Sequence, residues 1–184
     1  MSIELRTERL WLRPVAPADR DALHRLWTDP DVRRFLWDDR VIDLVVVDGV
    51  LAASVASFAA EGFGHFALRE SEAGPGVGAD GADALLGTCG LHRYTPGAEP
   101  ELLYSLAPEC WGSGLASEAA RAVVADAFVR LDFPRVLARA DVPNRGSVRV
   151  MQRLGMQHAG EREEGGLRLV SYTLAREDWQ RTGR

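Results

Sequence analysis

Leu102-Leu103-Tyr104-Ser105-Leu106 runs through Pro108-Glu109-Cys110-Trp111 into Gly112-Ser113-Gly114-Leu115-Ala116-Ser117-Glu118-Ala119-Ala120. The first segment reads as an extended apolar strand. From Gly112 to about Arg130 the apolar positions Ala116, Ala119, Ala120, Val123, Val124, Ala127 and Phe128 form one broad helical face. A strand that passes through two closely spaced glycines into a helix start leaves several backbone N–H groups unpaired and pointing one way. Such a junction binds a phosphate-bearing ligand, because orphan donors and helix dipole both favour negative charge. The small residues Gly112, Ser113, Gly114, Ala116 and Ser117 let a diphosphate come close to the main chain. A lone Gly-x-Gly could equally serve an ordinary turn, so the rest of the chain has to decide.

Working outward, Leu5 to Pro14 alternates apolar and polar residues and predicts a strand. Pro17-Ala18-Asp19 starts a helix whose apolar face is Ala22, Leu23, Leu26 and Trp27; Asp29-Pro30 breaks it, and a short turn follows through Val32 and Phe35. Asp43 to Glu61 predicts a helix ending at Gly62, although Val45-Val46-Val47 suits a strand equally well. Gly64 to Glu70, Leu85 to Tyr94 and Glu101 to Leu106 predict strands. Ser71 to Asp83, rich in Gly, Ala, Asp and Pro, predicts a flexible loop. Arg135 to Asp141 predicts a strand and Ser147 to Leu154 a helix ended by Gly155. Met156 to Arg162 and Leu167 to Ala175 predict a closing hairpin. Strands and helices alternate in the middle while strands dominate both sides, the pattern of a mixed α/β fold with a single central sheet.

The 184 residues suit one domain, 1–184, with a core that needs no disulfide. A net charge of −5 argues against broad nucleic-acid binding. All 22 basic residues are arginine, so no lysine is available for a Schiff base or for the Gly-Lys-Ser/Thr of a P-loop. Cys89 and Cys110 lack metal-ligand spacing, and no metal is expected. The apolar stretch from Ile42 to Ala60 is interrupted by Asp43, Asp48 and two serines, so no membrane span is expected. The amino terminus lacks a secretory apolar core, which predicts a cytoplasmic protein.

Several blocks, taken in order, resemble the GNAT-superfamily N-acetyltransferases of the RimJ/RimL type. They are Thr7-Glu8-Arg9-Leu10-x-Leu12-Arg13-Pro14 with Asp29-Pro30-Asp31-Val32, Leu86-Gly87-Thr88-Cys89-Gly90-Leu91, the Glu101–Ala119 segment, and Asn144-x-x-Ser147-Val148-x-Val150-Met151-x-x-Leu154-Gly155-Met156. The resemblance implies a mostly antiparallel, V-shaped sheet flanked by helices, with acetyl-CoA in the gap between strands 101–106 and 135–141. It implies that Tyr104, Ser105 and Leu106 line the pantetheine arm and that N–H groups from Trp111 to Ser117, Leu115 included, hold the diphosphate. Asn144 and Ser147 would lie near the thioester.

Acetyl transfer to an amine requires a group to take the amine proton, polarisation of the thioester and a hydrogen bond or proton for the departing thiolate. Many relatives place a tyrosine where this chain has Met151, which cannot donate. The RimL-type pattern implies Ser147 instead, with Asn144 as a positioning residue; the same serine would also serve as an ordinary helix cap. Candidate bases are Glu101, Glu163 or its neighbour Glu164, and His92. Phe35 and Trp37 are candidates for a wall over the acceptor, with His92 nearby, and Asp38 and Asp39 could attract a cation. The implied acceptor is a primary amine, either a peptide or protein N-terminus or a small molecule such as an amino acid, polyamine or antibiotic. A CoA-binding sensor without catalysis is the alternative that Met151 suggests. Homodimers are common in the resembled family.

Overall fold

The computed structural model describes residues 3–71, 84–95 and 97–182. All but the first residue of the predicted 71–83 loop therefore lies outside the described residues. Eight strands form one sheet: β1 Leu5–Arg6, β2 Leu10–Pro14, β3 His65–Glu70, β4 Gly87–His92, β5 Glu101–Leu106, β6 Arg135–Asp141, β7 Gln157–Glu164 and β8 Leu167–Ala175. Their order across the sheet is β1-β2-β3-β4-β5-β6-β8-β7. Every neighbouring pair is antiparallel except β5 and β6. That one parallel pair meets only at Glu101 and Leu137, where the Leu137 N–H donates to the Pro100 carbonyl at 3.0 Å. Beyond it the strands have no further register partners, and the edge of β5 facing β6 is left open.

Six helices complete the described fold: α1 Arg20–Thr28, α2 Pro30–Arg33, α3 Leu44–Glu61, α4 Leu115–Val129, α5 Arg145–Arg153 and α6 Arg176–Thr182. Asp29 ends one helix and starts another, because its carboxylate accepts the N–H groups of Asp31 and Val32 at 2.9 and 3.3 Å. The Trp27 indole of α1 donates to Ser105 Oγ at 3.2 Å, which sets α1 over that face of β5. Tyr104 points the other way, as alternation along a strand demands, and meets α5. Of the apolar face predicted for α4, Ala119, Ala120, Val123, Val124, Ala127 and Phe128 are buried; Leu115 joins them, whereas Ala116 is only partly buried and lines the cleft described below.

Differences from the sequence reading have local causes. The first predicted strand divides at 7–9, because the Thr7 hydroxyl accepts the Leu10 N–H at 2.9 Å and turns the chain. Helix α4 starts at Leu115 rather than Gly112, since Gly112 and Gly114 hold φ of 73° and 87°. Helix α5 begins two residues before Ser147, because Asn144 is its cap. The sequence pattern closes on the hairpin, and the structure adds helix α6 after β8.

Helix α3 corrects the expectation about apolar runs. Asp43 lies outside it as the N-cap, and its 18 residues have a mean hydropathy of 1.7, enough by length and composition to cross a membrane. In this fold it packs alongside α1 and buries Val47, Leu51 and Ser54, while Val45 and Val55 stay exposed.

Candidate functional site: the cleft between β5 and β6

Where β5 and β6 part, a cleft of about 660 Å3 opens. Strand β5 contributes Tyr104, Ser105 and Leu106 to its wall. The turn and first helical residues contribute Trp111, Gly112, Gly114, Ala116 and Ser117. Asn144 and Ser147 close it from α5, and Phe35 from the segment after α2.

Gly112 and Gly114 take left-handed conformations just before α4 begins, and both line the cleft where the first N–H groups of the helix lack intrahelical partners. A Cβ on Gly112 would meet no protein atom within 4 Å, so the space beside it is open. Ser117 is buried in the first turn of α4, and its Oγ has no hydrogen-bond partner among the described residues. A buried orphan hydroxyl beside unpaired N–H groups fits a phosphate-bearing ligand. Ser113 and Leu115 face elsewhere. Ser113 Oγ donates to the Cys110 carbonyl at 2.5 Å, and the Leu115 side chain is fully buried in the core.

The turn is braced from the far edge of the sheet. Glu118 accepts from the Thr7 hydroxyl at 2.6 Å, the Arg9 N–H at 2.9 Å and the Arg9 guanidinium at 2.7 Å. Arg9 also donates to the Ser113 carbonyl at 3.0 Å. Burial alone would raise the Glu118 carboxyl, but the Thr7 and Arg9 donors outweigh it and hold the group below its ordinary range. The Thr7–Arg9 block thus serves the loop, a link between residues so far apart in sequence that local spacing could not show it.

Along β5 the Leu106 carbonyl accepts the Trp111 indole N–H at 2.8 Å. The Ser105 hydroxyl lies on the opposite face, engaged by Trp27 and by Thr88 Oγ1 at 2.9 Å. At α5, the Asn144 side-chain oxygen accepts the Ser147 N–H at 3.0 Å, so Asn144 caps and Ser147 is the capped residue. The Tyr104 hydroxyl lies 2.8 Å from Ser147 Oγ and 3.0 Å from the Ser147 carbonyl oxygen. Met151 is fully buried in the core.

The candidate bases gather elsewhere or are occupied. Glu101 is buried at 2% exposure and accepts from Arg139 Nε at 2.8 Å. His92 pairs with Glu101 in register and sets its ring edge-on to Tyr94 at 4.4 Å. Burial lowers the His92 pKa, as does Arg139, and Glu101 only partly offsets them. Glu163 is exposed on β7, outside the cleft, because the β7–β8 hairpin extends past the end of β6. Glu164 approaches Arg139 at 3.9 Å. Trp37 turns to the core and packs against Trp27 with ring centroids 5.8 Å apart. Among the described residues no group of three or more His, Cys, Asp or Glu is arranged to hold a metal ion.

Two residues of β6 escaped the sequence reading. Arg139 lines the cleft, with its guanidinium carbon 4.7 Å from the Tyr94 ring centre. Asp141, two positions along and so on the same face, feels burial first and then the negative charge of Asp38, and both raise its carboxyl pKa. Alternating Arg135, Leu137, Arg139 and Asp141 look like an ordinary polar strand face; the parting of the strands marks out Arg139, and the approach of Asp38 marks out Asp141.

The comparisons with known proteins agree with this geometry. The model of the GNAT acetyltransferase domain matches residues 9–157. An uncharacterized N-acetyltransferase of Bacillus licheniformis, p20, is 27% identical over 158 residues, covering 85% of this chain and 83% of its own. The Bacillus subtilis N-acetyltransferase YoaA, also uncharacterized, is 28% identical over 171 residues, covering 91% and 88%. An acetyltransferase structure from Agrobacterium tumefaciens matches with a TM-score of 0.78 at 28% identity, over 95% of both chains. Spermidine N-acetyltransferase from Vibrio cholerae, solved with CoA and spermine, shares the fold at a TM-score of 0.73 and 15% identity, over 95% and 99%. With an eight-stranded sheet opened between β5 and β6 and a donor-rich turn at the end of the opening, this chain belongs to the GNAT acetyltransferase family and is an N-acetyltransferase.

Proposed function

We propose that the protein moves an acetyl group from acetyl-CoA directly to a primary amine, as a member of the RimJ/RimL branch. The observation that carries this reading is the open edge of β5 ending on a turn with unpaired N–H groups and an orphan, buried Ser117 hydroxyl. The N–H groups from Gly112 to Ser117 and the Ser117 Oγ bind the diphosphate. The free edge of β5 offers main-chain partners to an amide-bearing arm, as an added strand would. Ser147 Oγ, on the α5 wall, donates a hydrogen bond to the departing sulfur.

The acceptor enters from the opposite face, the one carrying Arg139 and Asp141, with Phe35 as a wall. Asp141 and Asp38 together attract a protonated amine, and Asp141 takes its proton. This assignment replaces Glu101, whose carboxylate is held by Arg139, and Glu163, which lies on the exposed hairpin. Two protons leave the ammonium on the way to the amide: Asp141 takes the first and passes it to solvent, the nitrogen–carbonyl bond then forms as the carbon–sulfur bond breaks, and Asp141 takes the second. RimJ/RimL membership is supported by the Thr7–Pro14 and Asn144-x-x-Ser147 blocks, and it favours a peptide or protein N-terminus as acceptor. A small amine is the other acceptor class.

Isothermal calorimetry with CoA and acetyl-CoA, followed by turnover on N-terminal peptides, amino acids and polyamines, tests the reading. Both thioester and free CoA should bind, and at least one amine should be acetylated. No heat with either compound on folded protein overturns it.

A further inference from the structure

We infer that Tyr104 is a positioning residue that directs the Ser147 proton toward the departing sulfur. The inference rests on the proposed acetyl transfer and goes beyond it by assigning a role to a side chain of the cofactor strand. Tyr104 Oη lies within hydrogen-bond distance of two oxygens of a single residue, Ser147 Oγ at 2.8 Å and Ser147 O at 3.0 Å.

Counting donors separates two arrangements. Each hydroxyl has one proton, and the carbonyl oxygen can only accept. When Tyr104 donates to the carbonyl, its own oxygen accepts the Ser147 proton, and Ser147 has nothing left for a ligand. When Tyr104 donates to Ser147 Oγ, the Ser147 proton is released to point into the cleft. The two arrangements interconvert by rotating two hydroxyl groups, with no heavy atom displaced. Negative charge growing on a sulfur beside Ser147 favours the second arrangement, because it alone supplies a donor while keeping the 2.8 Å contact between the two hydroxyls a hydrogen bond.

Burial of the ring pushes the Tyr104 phenol well above its ordinary value, and the Ser147 hydrogen bond relieves this only in part. Cys89, its register partner on β4, is itself pushed up by burial and stays a neutral thiol. Tyr104 therefore remains a protonated donor throughout. During transfer the carbon–sulfur bond breaks, its electron pair stays on sulfur, and Ser147 Oγ–H hydrogen-bonds that sulfur while Tyr104 hydrogen-bonds Oγ. Tyr104 keeps its proton, and the thiolate takes one from solvent on release. Met151, fully buried on the same helix, can offer none.

The test is a cycle of Tyr104→Phe, Ser147→Ala and the double variant, with kcat, KM and the calorimetric Kd for CoA measured for each. Both single variants should lose about 10- to 100-fold in kcat, with KM and Kd for the CoA compound within about twofold of wild type. The double variant should be no slower than the worse single by more than about threefold, because the two hydroxyls act as one unit. A kcat for Tyr104→Phe within twofold of wild type overturns the inference, as do multiplicative losses or a Kd that worsens as much as kcat falls. Those results leave CoA binding and turnover by the wild type intact, so they are distinct from failure of the proposed function. Should Tyr104→Phe not fold, 3-fluorotyrosine at position 104 keeps the ring and strengthens the donor. An unchanged kcat with that residue overturns the inference equally.

Discussion

Glu101 and Arg139 share an ion pair at the closed end of the cleft, and both are largely withdrawn from water, at 3% and 17% side-chain exposure. Removing one charge strands the other in a poorly hydrated place. Glu101→Gln should therefore lower unfolding free energy by about 3 kcal/mol in urea titration. Glu164→Gln, whose carboxylate is exposed and 3.9 Å away, should cost no more than about 0.5 kcal/mol. Asp141 behaves differently because its neighbour Asp38 carries the same sign. Burial and that neighbour raise the Asp141 carboxyl, so the acid limb of kcat/KM for the amine should lie above the ordinary aspartate range. Asp38→Asn deletes the like charge and should move that limb to lower pH. A limb that stays in place in the pH–rate profile assigns the titration to another group. The sequence displayed Asp38 as one half of a polar pair, but its opposition to Asp141 depends on a loop meeting a distant strand.

At the scale of elements, the turn into α4 depends on the two glycines that the sequence singles out. Gly112 and Gly114 sit at φ of 73° and 87°, a region that costs an L-residue about 1–2 kcal/mol. Alanine at either position should reduce stability by about 1 kcal/mol, as read from melting curves. Their ligand effects should diverge. A methyl at Gly112 meets open space at a position lining the cleft, whereas one at Gly114 faces the Arg9 guanidinium at 3.6 Å. Gly112→Ala should thus weaken CoA binding several-fold more than Gly114→Ala by calorimetry, and equal losses would contradict a ligand seated at Gly112. The boundaries of β5, β6 and β8 were legible in full, because turn residues and apolar runs bracket them. The start of α5 was not, since nothing local tells whether Asn144 or Ser147 takes the cap. The geometry shows Asn144 doing so, which leaves the Ser147 hydroxyl beside Tyr104.

Across the whole molecule, acid sensitivity should centre on β3. Burial, then the neighbouring His92, pushes the His65 imidazole down to about 4. The unfolded chain binds that proton near pH 6.5 while the folded chain refuses it until about 4, so stability falls as pH drops through this window. The loss should be on the order of 2 kcal/mol in denaturant titrations at the two ends, and His65→Gln should flatten the slope. An unchanged slope in the variant assigns the acid loss to other groups. The sequence by itself determined the alternation of strands and helices, the glycine turn before α4 and the family to which these blocks point. Those properties are written in short-range periodicity and in φ preferences, which neighbouring residues settle among themselves. Only the tertiary structure decided that β5 and β6 part after Glu101, that Arg139 occupies the carboxylate of the first candidate base, and that Tyr104 reaches Ser147. Each joins residues tens of positions apart, and no local pattern encodes a contact that chain crossing alone creates.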